Sequence, residues 1–242
     1  MKFRLIYVIT WIASCSSMLS CKKNSLPAIS SSSLTIVNAL SGGYGLIPNF
    51  DSEKTLIYYK NAAVITNNGF LEFSGHLGNI PLSLAPQTDT LHTLYKNNIL
   101  MEANSIHTLF VTGTIDNTDS YFTTDKVPAF AAADSLIGVR FVNISMGSKP
   151  VSINIKGQSN ALVNGLAYKS ASDFLPYAAK KTVPATVSYV FEIRDASTAA
   201  LITTYTLSSL GTKISKSVTI ALKGIPGGTG VNAQMALLVN NY

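Results

Sequence analysis

Apolar and polar residues alternate with period two along most of the chain from Leu34 onward. Such alternation puts successive side chains on opposite faces of an extended backbone, the pattern of a strand with one buried face. The clearest run is Val151-Ser152-Ile153-Asn154-Ile155-Lys156. Residues 187–194 and Val218-Thr219-Ile220-Ala221-Leu222-Lys223 repeat it. The same pattern predicts strands over 34–40, 56–59, 80–84, 91–95, 107–115, 139–144, 201–207 and 234–239. These runs are rich in Val, Ile, Thr and Tyr, which suit a pleated, half-buried surface. Turn-forming groups separate them, among them Asn67-Asn68-Gly69, Asp195-Ala196-Ser197 and Gly227-Gly228. No segment holds a 3.6-residue period over three turns. The chain therefore reads as all-β, built of antiparallel sandwiches.

The pattern also repeats. Leu34-Thr35-Ile36-Val37-Asn38 is echoed by Val139-Arg140-Phe141-Val142-Asn143. Leu91-His92-Thr93-Leu94-Tyr95 is echoed by Leu201-Ile202-Thr203-Thr204-Tyr205, and strands ending in glycine close at Gly113 and Gly224. The three offsets are 105, 110 and 111 residues, in order along the chain. Collinear echoes of this kind predict two tandem units. The expected division is a β-sandwich over 34–115, a linker over 116–135, and a second β-sandwich over 136–242.

Residues 1–21 break the pattern. Lys2 and Arg4 precede an apolar run from Leu5 to Ala13, and small residues lead to Ser20-Cys21. That is the layout of a secretory signal, and the run is too short to span a membrane. Met18-Leu19-Ser20-Cys21 resembles the lipobox of bacterial lipoproteins. The resemblance implies cleavage after residue 20 and lipidation of Cys21. Cys15 would leave with the signal, so the mature chain would hold one cysteine and no internal disulfide. Removing Lys2 and Arg4 lowers the formal net charge from +6 to +4, which gives no basic stripe for nucleic acid. Residues 21–33, rich in Ser with Lys22 and Lys23, read as a flexible tether from the lipid.

The second half carries a family resemblance. Its opening strand ends in Val142-Asn143. A V-x-I-x-I-x-G strand runs from Val151 to Gly157, an L-x-Y-x-S segment from Leu166 to Leu175, and a last strand from Val218 to Gly224. These resemble domain-of-unknown-function family 4397, found in tandem in bacterial envelope lipoproteins. The first half keeps only the opening and closing strands, and residues 168–175 have no clean counterpart there. The resemblance implies an immunoglobulin-like or transthyretin-like sandwich, and it implies no catalytic residues.

Candidate chemistry is sparse. The three histidines, His76, His92 and His107, show no metal-ligand spacing and no HExxH. There is no G-x-S-x-G elbow, although a Ser-His-Asp site assembles from distant residues and stays open at this level. Asp116, Asp119 and Asp125 lie close in sequence but lack a calcium-loop pattern and read as solvated linker. The stretch GIPGGTG at 224–230 lacks the Lys-Ser/Thr of a phosphate loop and reads as a turn. Trp11, the only tryptophan, lies in the signal, leaving Tyr58, Tyr59, Tyr168 and Tyr177 as aromatic platforms. Lys180 and Lys181 sit in a loop.

The expectation is a non-catalytic lipoprotein of the cell envelope, anchored in the outer membrane through Cys21. No catalytic residue, metal ligand, cofactor or nucleic-acid contact is predicted. Its partner would be an envelope protein or a glycan, met by loops 42–49, 157–164 and 176–184. The alternative is a lipoprotein hydrolase of glycans or peptides with its site at the loop ends.

Overall fold

The computed structural model describes residues 30–51, 62–75, 77–179 and 188–241. The chain divides into residues 1–30 and 31–242, and every described strand lies in the second unit. Cys21, His76, Tyr58, Tyr59, Lys180, Lys181 and the expected strand 56–59 lie outside the described residues.

The first half contains β1 (Ser33–Asn38), β2 (Leu46–Asn49), β3 (Phe70–Ser74), β4 (Gly78–Pro86), β5 (Tyr95–Met101), β6 (Ile106–Gly113) and β7 (Thr118–Thr124). One sheet runs β3-β1-β6-β7 and the other β2-β4-β5. The second half contains β8 (Leu136–Asn143), β9 (Val151–Ile155), β10 (Ala161–Leu166), β11 (Ser170–Ala171), β12 (Leu175–Ala178), β13 (Tyr189–Asp195), β14 (Leu201–Leu207), β15 (Ser217–Lys223) and β16 (Met235–Asn240). Its sheets run β11-β8-β15-β16, with β12 also on β8, and β10-β9-β13-β14.

The all-β sandwich architecture is present, with one correction. The sheets are not wholly antiparallel: β1 pairs β6 and β8 pairs β15 in parallel. Neither pair is joined by a hairpin. The intervening strands act as a long crossover, which is what a parallel neighbour needs.

Each half has its own core. Leu34, Ile36, Leu46, Leu82, Leu84, Ile99, Leu109 and Val111 fill the first. Ile137, Val139, Phe141, Ile153, Phe191, Ile193, Val218, Ile220 and Leu222 fill the second. A third cluster joins Val37, Ala39 and Phe110 of the first half to Val142, Ile144, Ala221, Leu237 and Val239 of the second. The two inner sheets thus bury both faces, and β15 is buried along its whole length. The result is four stacked sheets, with a seam in the middle.

The repeat holds at the level of register. Val37 pairs with Phe110 in β1–β6, and Val142 with Ala221 in β8–β15, the same offsets of 105 and 111 read from the chain. The repeated Val-Asn has a physical cause. Asn38 Nδ2 donates to the Tyr44 and Ile65 carbonyls, and Asn143 Nδ2 donates to the Leu166 carbonyl at 3.1 Å. The Asn38 and Asn143 side-chain oxygens accept the amides of Leu40 and Ser145. Each asparagine thereby satisfies buried backbone where the strand leaves the sheet. The closing glycines are equally constrained. Gly113 (φ +88°) and Gly224 (φ +92°) would place a Cβ 2.3 Å from the Asn117 carbonyl and 2.2 Å from that of Ala233.

Residues 168–175 do have a counterpart. Asn68 and Lys169, both left-handed, donate their amides to the carbonyls of Asn38 and Asn143. Phe70 then pairs with Val37 as Ala171 pairs with Val142.

Four expectations fail. Residues 91–94 are a turn, with Leu91 81% exposed. The Asp89 side chain accepts the Leu91 amide, so turn chemistry overrides the alternation, and β5 starts at Tyr95. The 116–135 segment is not a free linker either. Residues Thr118–Thr124 form β7 on β6, and Asp125 is buried in the seam. In the same way, 46–49 of the expected loop 42–49 is β2, and 161–164 of the loop 157–164 belongs to β10.

Candidate functional site

The densest polar chemistry lies in the seam. Asp125 follows β7 and points between the inner sheets. Its Oδ1 accepts from Arg140 Nη1 at 2.7 Å and from Thr123 Oγ1 at 2.6 Å. Its Oδ2 accepts from Thr108 Oγ1 at 2.6 Å and from Asn241 Nδ2 at 3.3 Å. Arg140 Nε donates to Thr219 Oγ1, which donates to Asn241 Oδ1. The buried ion pair thus sits inside a network that satisfies most of its lone pairs and protons, as such a pair requires.

Lys223 closes the other end of the seam. Its side chain is fully buried, and Nζ donates to the Leu40 carbonyl at 3.0 Å and to Asn68 Oδ1. Burial pushes its ammonium down to about 8. Thr112 Oγ1 donates to the Ile144 carbonyl beside it. At repeat-related positions the first half carries Thr35 and Thr112 where the second carries Arg140 and Lys223. The cations of one sheet reach across to the other.

The remaining candidates do not converge. His92 lies in the 91–94 turn. His107 is buried on β6, stacked on Phe122 at 5.1 Å. Burial holds its ring below the ordinary value, against the raising influence of Asp125 and Glu102. Nε2 lies 2.6 Å from Ser105 Oγ, and Nδ1 lies 3.2 Å from Thr124 Oγ1. The single hydroxyl proton of Ser105 goes to the Glu102 carbonyl at 2.5 Å. In that arrangement Nε2–H is the donor to Ser105, which is the reverse of a general base taking a proton from a nucleophile.

Asp119 accepts from Tyr168 OH at 2.8 Å and Lys169 Nζ at 2.9 Å, tying β7 to the β10–β11 turn. Burial raises the Asp119 carboxyl, and the bonds from Lys169 and Tyr168 outweigh it and hold it low. Burial, and then the Asp119 contact, push the Tyr168 phenol well up. Tyr177 is buried against Tyr189 and Phe191. Asp116, Asp119 and Asp125 form no cluster, and no group of three metal-binding side chains exists among the described residues. Residues 224–230 form the loop between β15 and β16, as expected.

Clefts on the described surface include the following three. One of about 550 Å³ lies where the chain enters β1, between Ser31–Ser33, Ser74 and Ser105. One of about 330 Å³ lies among Glu72, Lys213, Lys216 and Asn240. The third, about 300 Å³, runs along the seam between β7 and the β11–β12 segment, with Arg140 and Lys126 in its lining. Sequence alternation missed Asp125, Arg140 and Lys223, because it reads the polar face of a strand as solvent. The available signal was a charge inside a strongly apolar strand, as in Gly138-Val139-Arg140-Phe141-Val142, since charges are almost never buried unpaired.

No family model matches this chain, and no curated protein matches it. Among solved structures it is similar to a DUF3823 family protein from Bacteroides ovatus. The two are 10% identical over 74% of this chain and 96% of that one, with a TM-score of 0.19. A likeness that distant carries no argument about family or function, so the fold rests on the strands and registers described above.

Proposed function

We propose that this chain is a non-catalytic lipoprotein of the bacterial envelope, anchored in the outer membrane through Cys21, that binds a protein or glycan partner. The basic residues Lys2 and Arg4, the short apolar run that follows and the lipobox-like Met18-Leu19-Ser20-Cys21 support the anchor. The structural observation behind the binding reading is the seam. Asp125, Arg140, Lys223, Thr108, Thr219 and Asn241, the residues with the richest chemistry, are engaged in joining two sandwiches. The surface is then left to recognition.

Metabolic labelling with an alkyne fatty acid tests the anchor. Label should enter the wild-type chain and be absent from Cys21→Ala, which should leave the membrane fraction. Retention of label and membrane residence in that variant would contradict the anchor. A screen of the chain lacking residues 1–21 against glycan, peptide and ester substrates tests the binding half, and turnover lost on a single substitution would contradict it.

A second reading, a hydrolase of glycans or peptides, would need Ser105 Oγ to give its proton to His107 Nε2, 2.6 Å away, and the hydroxyl's bond to the Glu102 carbonyl opposes that. Fluorophosphonate labelling of Ser105 that disappears in His107→Gln would favour it.

A further inference from the structure

We infer that the groove between β7 and the β11–β12 segment is a binding site for a small organic monocarboxylate, held by Arg140 and Lys126. This rests on the binding reading above and names a ligand class for it.

Three observations meet in this groove. The first is an unmet donor. Arg140 uses Nε on Thr219 and Nη1 on Asp125, while Nη2 is buried with no partner among the described residues. Phe174 covers the face of the guanidinium, 4.8 Å above its carbon, so the unused edge is the Nη2 end. A guanidinium edge matches the two oxygens of a carboxylate.

The second is a break in the sheet confined to this spot. On β8, Val142 pairs with Ala171 and Val139 with Leu175, so β11 and β12 are separated by Ser172, Asp173 and Phe174. Ser172 still bonds Phe141 through its amide and its hydroxyl oxygen. Asp173 and Phe174 have no ladder partner on β8. The repeat-related strand β3 runs without interruption along β1. Irregularities of this kind concentrate where a sheet serves a site. Here the break places the ring over Arg140 on residues without a ladder partner on β8.

The third is the charge balance. Asp125 already offsets Arg140. Lys126 is exposed, with no ion pair among the described residues, and Asp173 stands on the rim. Arg140 and Lys126 are matched in number by Asp125 and Asp173, so the groove has no excess positive charge to hold a dianion, and the donors left for a single carboxylate are Arg140 Nη2 and Lys126 Nζ. The aromatic rings of Tyr121 and Phe174 suit a ligand with a flat apolar body. The volume, about 300 Å³, is at the lower end for small-molecule sites.

Benzoate is a suitable probe, added to ¹⁵N-labelled chain lacking residues 1–21, with sulfate as the comparison. Benzoate should shift the Arg140 Nε–H and the amides of 121–126 and 171–174 saturably, with Kd in the range of about 1–10 mM. Sulfate should shift them less. Lys126→Ala, an exposed substitution that leaves the seam intact, should weaken benzoate by about fivefold or more. No saturable shift, equal response to sulfate, or unchanged affinity in Lys126→Ala would each overturn the inference. None of those results bears on lipidation or turnover, so the broader reading is tested separately.

Discussion

Replacing Asp125 with alanine probes the seam directly. The side chain accepts four hydrogen bonds, two of them from opposite sides of the seam: Thr108 on β6 and Arg140 on β8. Both members of the ion pair are almost fully buried, with side chains 0% and 5% exposed for Asp125 and Arg140. Removing the carboxylate leaves a buried guanidinium without its counter-charge, which costs about 3–5 kcal/mol. The hydroxyls of Thr108 and Thr123 lose their acceptor as well, so the upper end of that range is expected. Against a typical domain stability of about 5–15 kcal/mol this is a large fraction. Replacing both charges, Asp125→Leu with Arg140→Met, removes the stranded ion and should return the loss to within about 2 kcal/mol. Urea unfolding of the chain lacking residues 1–21, followed by circular dichroism, measures Asp125→Ala, Arg140→Met and the double variant. A single-variant loss below about 1 kcal/mol, or a double-variant loss equal to the sum of the singles, would refute the reasoning.

Lys223 predicts a pH dependence. Its folded value of about 8 lies below the ordinary 10.5, so between these values the unfolded chain binds more protons and stability rises with pH. Thermal unfolding from pH 7 to 9.5 should show a gain of about 2 kcal/mol that is absent in Lys223→Met. Above about pH 10 the raised phenols of Tyr168 and Tyr177 reverse the trend, because the folded chain then holds more protons. Asn143→Ala should cost about 1–3 kcal/mol in urea by stranding the Leu166 carbonyl, and Asn38→Ala more, since it strands two carbonyls. Phe191→Ala should cost about 3–5 kcal/mol, because the ring is fully buried between Phe141 and Tyr177; a loss near zero would reverse the inward face of β13.

Period-two alternation was sufficient for β9 and β13, which have one face on a core and the other turned away from it. It was ambiguous for β15. Thr219 and Lys223 look like a solvent face in the sequence, but a second sandwich covers them. No local pattern reports what lies across a sheet, so the seam was invisible. The echoes 34–38 and 139–143 were legible because one asparagine does the same work in both halves. The echo of 91–95 failed because the turn closed by Asp89 reaches into that run, whereas the turn closed by Asp195 ends before β14 begins. Residues 118–124 were missed as a strand because Thr, Asp and Ser dominate them, and only pairing to β6 makes them extended. Arg140 was legible as an odd charge, but its partner Asp125 reads as linker until the fold brings them together.

The shared seam cluster makes the two sandwiches one packed body. Differential scanning calorimetry of the chain lacking residues 1–21 tests it most directly. One transition is expected, with calorimetric and van't Hoff enthalpies that agree, as for a single cooperative unit. Two separated transitions, each carrying about half the enthalpy, would show that the sandwiches unfold independently and would contradict it.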